Sequence, residues 1–197
     1  MKLNPQQQAA VKYLGGPLLV LAGAGSGKTG VITQKIKHLI VNVGYLPHTV
    51  AAITFTNKAA TEMQERVAKM LPKSQTRGLT ICTFHSLGMK ILREEANHIG
   101  YKKNFSILDS TDSAKIIGEL LDGTGKEALF KAQHQISLWK NDLKTPEDVL
   151  QTTSNAWEEQ IARVYASYQE TLQSYQAVDF DDLIRLPDRK STRLNSS

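Results

Sequence analysis

Apolar and polar positions alternate along the chain in two regimes. In the first, short apolar runs are separated by helical stretches. Asn4 can cap a helix that has Pro5 at its first position and runs to about Leu14, before Gly15-Gly16. Pro17 to Ala22 is an unbroken apolar run of buried-strand type. A glycine-rich turn, Gly23 to Gly27, leads into a helix expected to reach Val43, with Val31, Ile32, Ile36, Leu39 and Ile40 as its apolar stripe. Thr49 to Phe55 reads as a second strand, Asn57 to Leu71 as a helix stopped by Pro72, and Leu79 to Thr83 as a third strand. Strand–helix–strand order of this kind predicts an α/β fold with a parallel sheet covered by helices.

After His85 the strand signals almost stop. Helical periodicity is expected over 86–98, 111–122, 126–142, 146–152 and 155–176, with a short helix beginning at Asp181. Turns fall at Gly123-Thr124-Gly125 and Lys144-Thr145-Pro146. Residues 1–85 are therefore expected to open an α/β domain, and 86–187 to form a mostly helical region.

Composition narrows the classes. Hydrophobic residues make up 41% and charged residues 22% of 197, which suits a globular chain and not a disordered one. No apolar run approaches the roughly 20 residues of a spanning helix, and the N-terminus has no apolar signal core. The single cysteine, Cys82, leaves no internal disulfide or multi-cysteine zinc site, and the histidines lack zinc-like spacing, so no metal site within the protein itself is expected. A cytoplasmic location is the expectation. Net charge is +5, which permits a polyanionic partner. Residues 188–197, however, match one reading frame of a common short-read sequencing adapter, residue for residue, and read as a non-native tail. Without them the charge falls to +3.

Three clusters carry candidate chemistry. In Ala22-Gly23-Ala24-Gly25-Ser26-Gly27-Lys28-Thr29, an apolar run precedes the turn and a helix follows it, the context a phosphate loop requires. Small residues let backbone amides close on phosphate oxygens, and the helix start offers free N–H groups. Lys28 is placed to pair with β- and γ-phosphates, and Thr29 to give a hydroxyl to Mg²⁺. The second cluster is Thr54 to Met63 with Thr83-Phe84-His85, at the carboxyl ends of two strands, where ligands gather in open sheets. An aromatic such as Phe55 can stack on an unpaired base there. Taken alone, the plainer reading has Phe55 in the core, Asn57 as a helix cap and His85 as structural. The third, Asp179-Phe180-Asp181-Asp182-Leu183, can bind a divalent ion, though such clusters more often cap a helix.

Together with Leu3-Asn4-Pro5-Gln6-Gln7, these blocks occur in the order that characterises superfamily 1 DNA helicases of the UvrD/Rep/PcrA group, which the chain resembles over residues 1 to about 187. The resemblance implies the start of a RecA-like ATP-binding domain followed by a helical inserted subdomain. It implies an ATP-dependent 3′-to-5′ helicase acting on single-stranded DNA and 3′-tailed or forked duplexes, with ATP and Mg²⁺ as cofactors. Gln7 matches the glutamine that reads the adenine edge, and Phe55, Asn57, Thr83, His85 and Phe180 match positions on the single-stranded DNA track. Where the family has Arg after Lys-Thr, this chain has Gly30. The family's Asp-Glu motif and second RecA-like domain lie beyond this stretch, so this chain alone is expected to be inactive. Two alternatives are a helicase subunit of a helicase–nuclease and a non-catalytic nucleotide-binding module.

Overall fold

The computed structural model describes residues 3–123 and 125–187. The tail reading of 188–197 thus concerns residues outside those described. The chain divides into two compact units, one ending at Phe84 and the other beginning at His85.

The first unit opens with α1 (Pro5–Lys12), held by a reciprocal capping box. The Gln7 amide N–H donates to Asn4 Oδ1 at 2.8 Å, and the Asn4 N–H to Gln7 Oε1 at 3.0 Å. Next come α2 (Lys28–Lys37), β1 (Ala51–Thr54), α3 (Asn57–Met70) and β2 (Thr80–Thr83). Past Lys37, the helix loosens into a wider π-type turn, His38–Val43, closed by left-handed Gly44. β1 and β2 pair in parallel, Ala51 opposite Thr80 through Thr54 opposite Thr83. Ile36, Ala52, Met63, Val67, Leu71 and Ile81 form the core between this ladder and helices α2 and α3.

Residues 17–22 depart from expectation. They join no ladder, and Leu19 and Leu21 are 82% and 87% exposed. An all-apolar run suits a strand covered on both faces and paired at its edges. Among the described residues, β1 pairs with β2, and no strand lies beside 17–22. The expected three-stranded sheet is therefore a two-stranded one. A smaller correction concerns α3. Its N-cap is Thr56, whose extended backbone aims Oγ1 at the Ala59 N–H, 3.1 Å away, so Asn57 is the first helical residue and not the cap.

The second unit comprises α4 (Phe84–Glu95, its first residue belonging to the other unit), β3 (Ser106–Leu108), α5 (Ser110–Leu120), α6 (Lys126–Asn141), α7 (Pro146–Thr152), α8 (Ala156–Ser174), β4 (Ala177–Asp179) and α9 (182–187). Helix dominates, as the periodicity predicts. The exception is a parallel pair, β3 with β4, that the sequence reading does not contain. Three residues are too few to show a period of two, and the partners lie about 70 positions apart. Tyr165, Tyr168, Leu172 and Ile117 centre the main core, and Leu92, Ala96, Phe105, Val178 and Leu183 a second one.

Candidate nucleotide and single-strand sites

The loop before α2 turns on two glycines. Gly25 and Gly27 have φ of 73° and 81°, in the left-handed region where side chains are disfavoured. Gly27 is the N-cap of α2 and offers no side chain to it, so the first amides of that helix receive no side-chain cap. A Cβ at Gly23 or Gly25 would meet only open space. The exposed Lys28 folds back over the loop, its Nζ donating to the carbonyls of Ala22 at 3.0 Å and Gly23 at 2.6 Å. Gln7 Nε2 donates to the Ser26 carbonyl at 3.0 Å, tying α1 to the loop. A cleft of about 820 Å³ opens beside it, with Gln7, Tyr13, Ser26 and Lys28 among its lining and the apolar residues 18–22 as one wall. That volume lies in the range of small-ligand sites.

An ammonium, a helix start without a side-chain cap and open space beside Gly23 and Gly25 lie together here, which fits a polyphosphate. The loop amides and Lys28 would hold phosphate oxygens, and Thr29, half-buried at the second position of α2, would face the metal. Gly30, where the resembled family has arginine, is buried, and its carbonyl accepts from Thr33 Oγ1 at 3.0 Å. It has no side chain with which to reach a nucleotide.

At the carboxyl end of the β1–β2 ladder, Phe55 is 87% exposed and packs against Phe84, ring centroids 5.5 Å apart. The core reading of Phe55 is thereby corrected. It follows the last ladder pair, Thr54 with Thr83, so no helix layer covers it. Asn57 is exposed beside it in sequence, whereas Thr83 is buried. Phe84, exposed and half of this aromatic pair, was not among the expected site residues.

In the second unit the His85 ring meets the edge of Phe180, centroids 5.8 Å apart, and both side chains are exposed. The turn carrying Phe180 is braced from below. Lys140, fully buried, donates from Nζ to Asp179 Oδ2 at 2.6 Å and Asp182 Oδ2 at 3.1 Å. Tyr168 Oη adds a bond to Asp179 Oδ2 at 2.9 Å. Arg185 grips Asp182 Oδ1 through Nε and Nη2 at 3.0 and 2.8 Å. Burial, and then the neighbouring Asp182 charge, push the Asp179 carboxyl up against the pull of Lys140. Burial would also raise Asp182, but Lys140 and Arg185 outweigh it and hold that carboxyl below its ordinary value. Burial keeps the Tyr168 phenol protonated far above its usual range, so it remains a donor.

The cap reading of the acid cluster holds for Asp179, whose Oδ1 accepts the Asp182 N–H at 2.9 Å at the start of α9. The divalent-ion reading does not fit, because two cations already face the buried carboxylates. Sequence reasoning missed Lys140 and Arg185. One signal was present: Ala132, Ile136, Trp139 and Lys140 fall on one helical face, which puts a cation at a core position.

The UvrD/REP helicase N-terminal domain matches residues 3–196. The chain belongs to the UvrD/REP helicase family. It is 48% identical over 190 residues to ATP-dependent DNA helicase Rep of Escherichia coli K12, and equally so to Rep of Salmonella typhimurium. To ATP-dependent DNA helicase PcrA of Leuconostoc citreum it is 43% identical over 188 residues. These alignments take in 93–95% of this chain but 25–28% of the relatives, so the chain spans about a quarter of the length of the helicases it matches. Among the described residues no helix of this UvrD/REP domain is long and apolar enough to cross a membrane.

Proposed function

We propose that this UvrD/REP domain is the nucleotide-binding and strand-binding N-terminal part of an ATP-dependent DNA helicase moving 3′ to 5′ on single-stranded DNA, with 3′-tailed or forked duplexes as its substrates. The observation that carries the reading is the loop geometry: left-handed Gly25 and Gly27, with Lys28 Nζ resting on carbonyls that phosphate oxygens can replace. ATP with Mg²⁺ is the proposed ligand. The loop from Ala22 to Gly27 and Lys28 would hold the phosphates, Thr29 would face Mg²⁺, and Gln7 would read the adenine edge. Bound ATP supplies a phosphoanhydride bond whose cleavage drives movement. The residues of this chain bind and orient it. Phe55, Asn57, His85 and Phe180 are proposed to contact the unpaired strand, the aromatics by stacking, while Thr83 is buried at the end of its own strand.

Titration of the chain with a fluorescent ATP analogue and Mg²⁺ tests this. Lys28→Ala should weaken binding about tenfold or more, since a charge-assisted contact to phosphate contributes roughly 1.5–3 kcal/mol. Gln7→Ala should reduce the preference for ATP over GTP. Binding by Lys28→Ala equal to that of the unsubstituted chain, with the melting transition intact, rejects the assignment.

A further inference from the structure

Gly88 lies in the second turn of α4, one turn beyond His85, in the interior of a twelve-residue helix. An interior glycine weakens a helix relative to alanine, so the position calls for a compensating contact. The contact is with α9. The Leu183 backbone crosses so close to Gly88 that a Cβ there would stand 1.8 Å from the Leu183 carbonyl oxygen and 2.9 Å from its carbon. These are backbone atoms, which cannot swing aside as a side-chain tip would. Leu183 is itself buried, in one core with Leu92 of α4 and Val178 of β4.

Phe180 stands three residues before Leu183. Its neighbours Asp179 and Asp182 are pinned by Lys140, so the 179–183 stretch is tied together. What remains to be set is how near this stretch lies to α4, and the bare backbone at Gly88 sets it. His85 and Phe180, on the two facing segments, then meet at 5.8 Å.

We propose that Gly88 is a positioning residue for the His85–Phe180 pair: the absence of a side chain at position 88 brings the two rings together. The inference rests on the reading of that pair as strand-binding. Any side chain at 88 moves α9 outward and parts the rings.

The test uses the full chain with Gly88→Ala, the larger Gly88→Val, and Phe180→Leu as reference. The ring-proton resonances of His85 sense the ring current of Phe180. In Gly88→Ala they should shift towards their positions in Phe180→Leu, and further in Gly88→Val. Affinity for a short fluorescent oligothymidylate should fall about fivefold or more, as losing one stacked base would produce, with affinity for the ATP analogue unchanged. His85 resonances that stay in place in Gly88→Ala overturn the proposal, and that variant decides if Gly88→Val does not fold. A parallel loss of ATP-analogue affinity also overturns it, since that reports general loosening. If instead the unsubstituted chain binds no oligothymidylate, or Phe180→Leu binds it normally, the strand-binding reading fails, while the His85 resonances still pass or fail the placement.

Discussion

At the scale of single residues, the least replaceable charge is Lys140. Its ammonium is fully buried between two carboxylates, and its loss would leave Asp179 and Asp182 facing each other with, among the described residues, Arg185 as the cation that offsets them. Removing one partner of such a group costs about 3–5 kcal/mol, because the penalty is an uncompensated buried charge. Lys140→Met should therefore lower the unfolding free energy of the second unit by about that amount in urea titrations at pH 7. Asp182 supplies a pH signature. Its carboxyl is held below the ordinary value in the fold, so its contribution is complete above the unfolded pKa of about 4 and lost as pH falls through the lower folded value. The stability gap between the unsubstituted chain and Asp182→Asn should hold or widen from pH 7 to about pH 5, because the Asp182 charge also raises Asp179, and should close only below about pH 4. A gap that closes between pH 7 and 5 would contradict that sign.

Elements were legible where their ends carry chemistry. Asn4 with Pro5, Thr145 with Pro146 and the stop at Pro72 mark helix boundaries through hydrogen-bonding groups that act locally. An eight-residue helix such as α1 is marginal alone, so its cap matters more than usual. Asn4→Ala should cost about 1 kcal/mol and speed amide exchange at Gln7, whose N–H the cap side chain accepts. Because the Gln7 side chain also reaches the Ser26 carbonyl, this small helix is tied to the glycine loop and the cleft beside it. β3 and β4 were illegible. Three-residue strands are held by partners far along the chain and by flanking core, and neither leaves a local pattern.

For the molecule as a whole, the apolar 17–22 segment is the main liability. Leu18, Leu19, Val20 and Leu21 are all exposed, and an exposed apolar segment without a ladder invites pairing between chains. Leu19→Lys with Leu21→Lys should leave the melting temperature nearly unchanged, since neither side chain is buried, and should reduce concentration-dependent association in sedimentation velocity. A large drop in melting temperature would show that the segment is packed after all.

By itself the sequence determined the order of helices, the glycine loop with its lysine, and the family. Each of these is written in neighbouring residues, through spacing, caps and backbone freedom. Only the tertiary structure decided that Phe55 stands in solvent against Phe84, that Lys140 lies beneath the Phe180 turn, and that 17–22 lacks a ladder. Exposure and ion pairing depend on what distant parts of the chain place alongside a residue, and no local pattern encodes that.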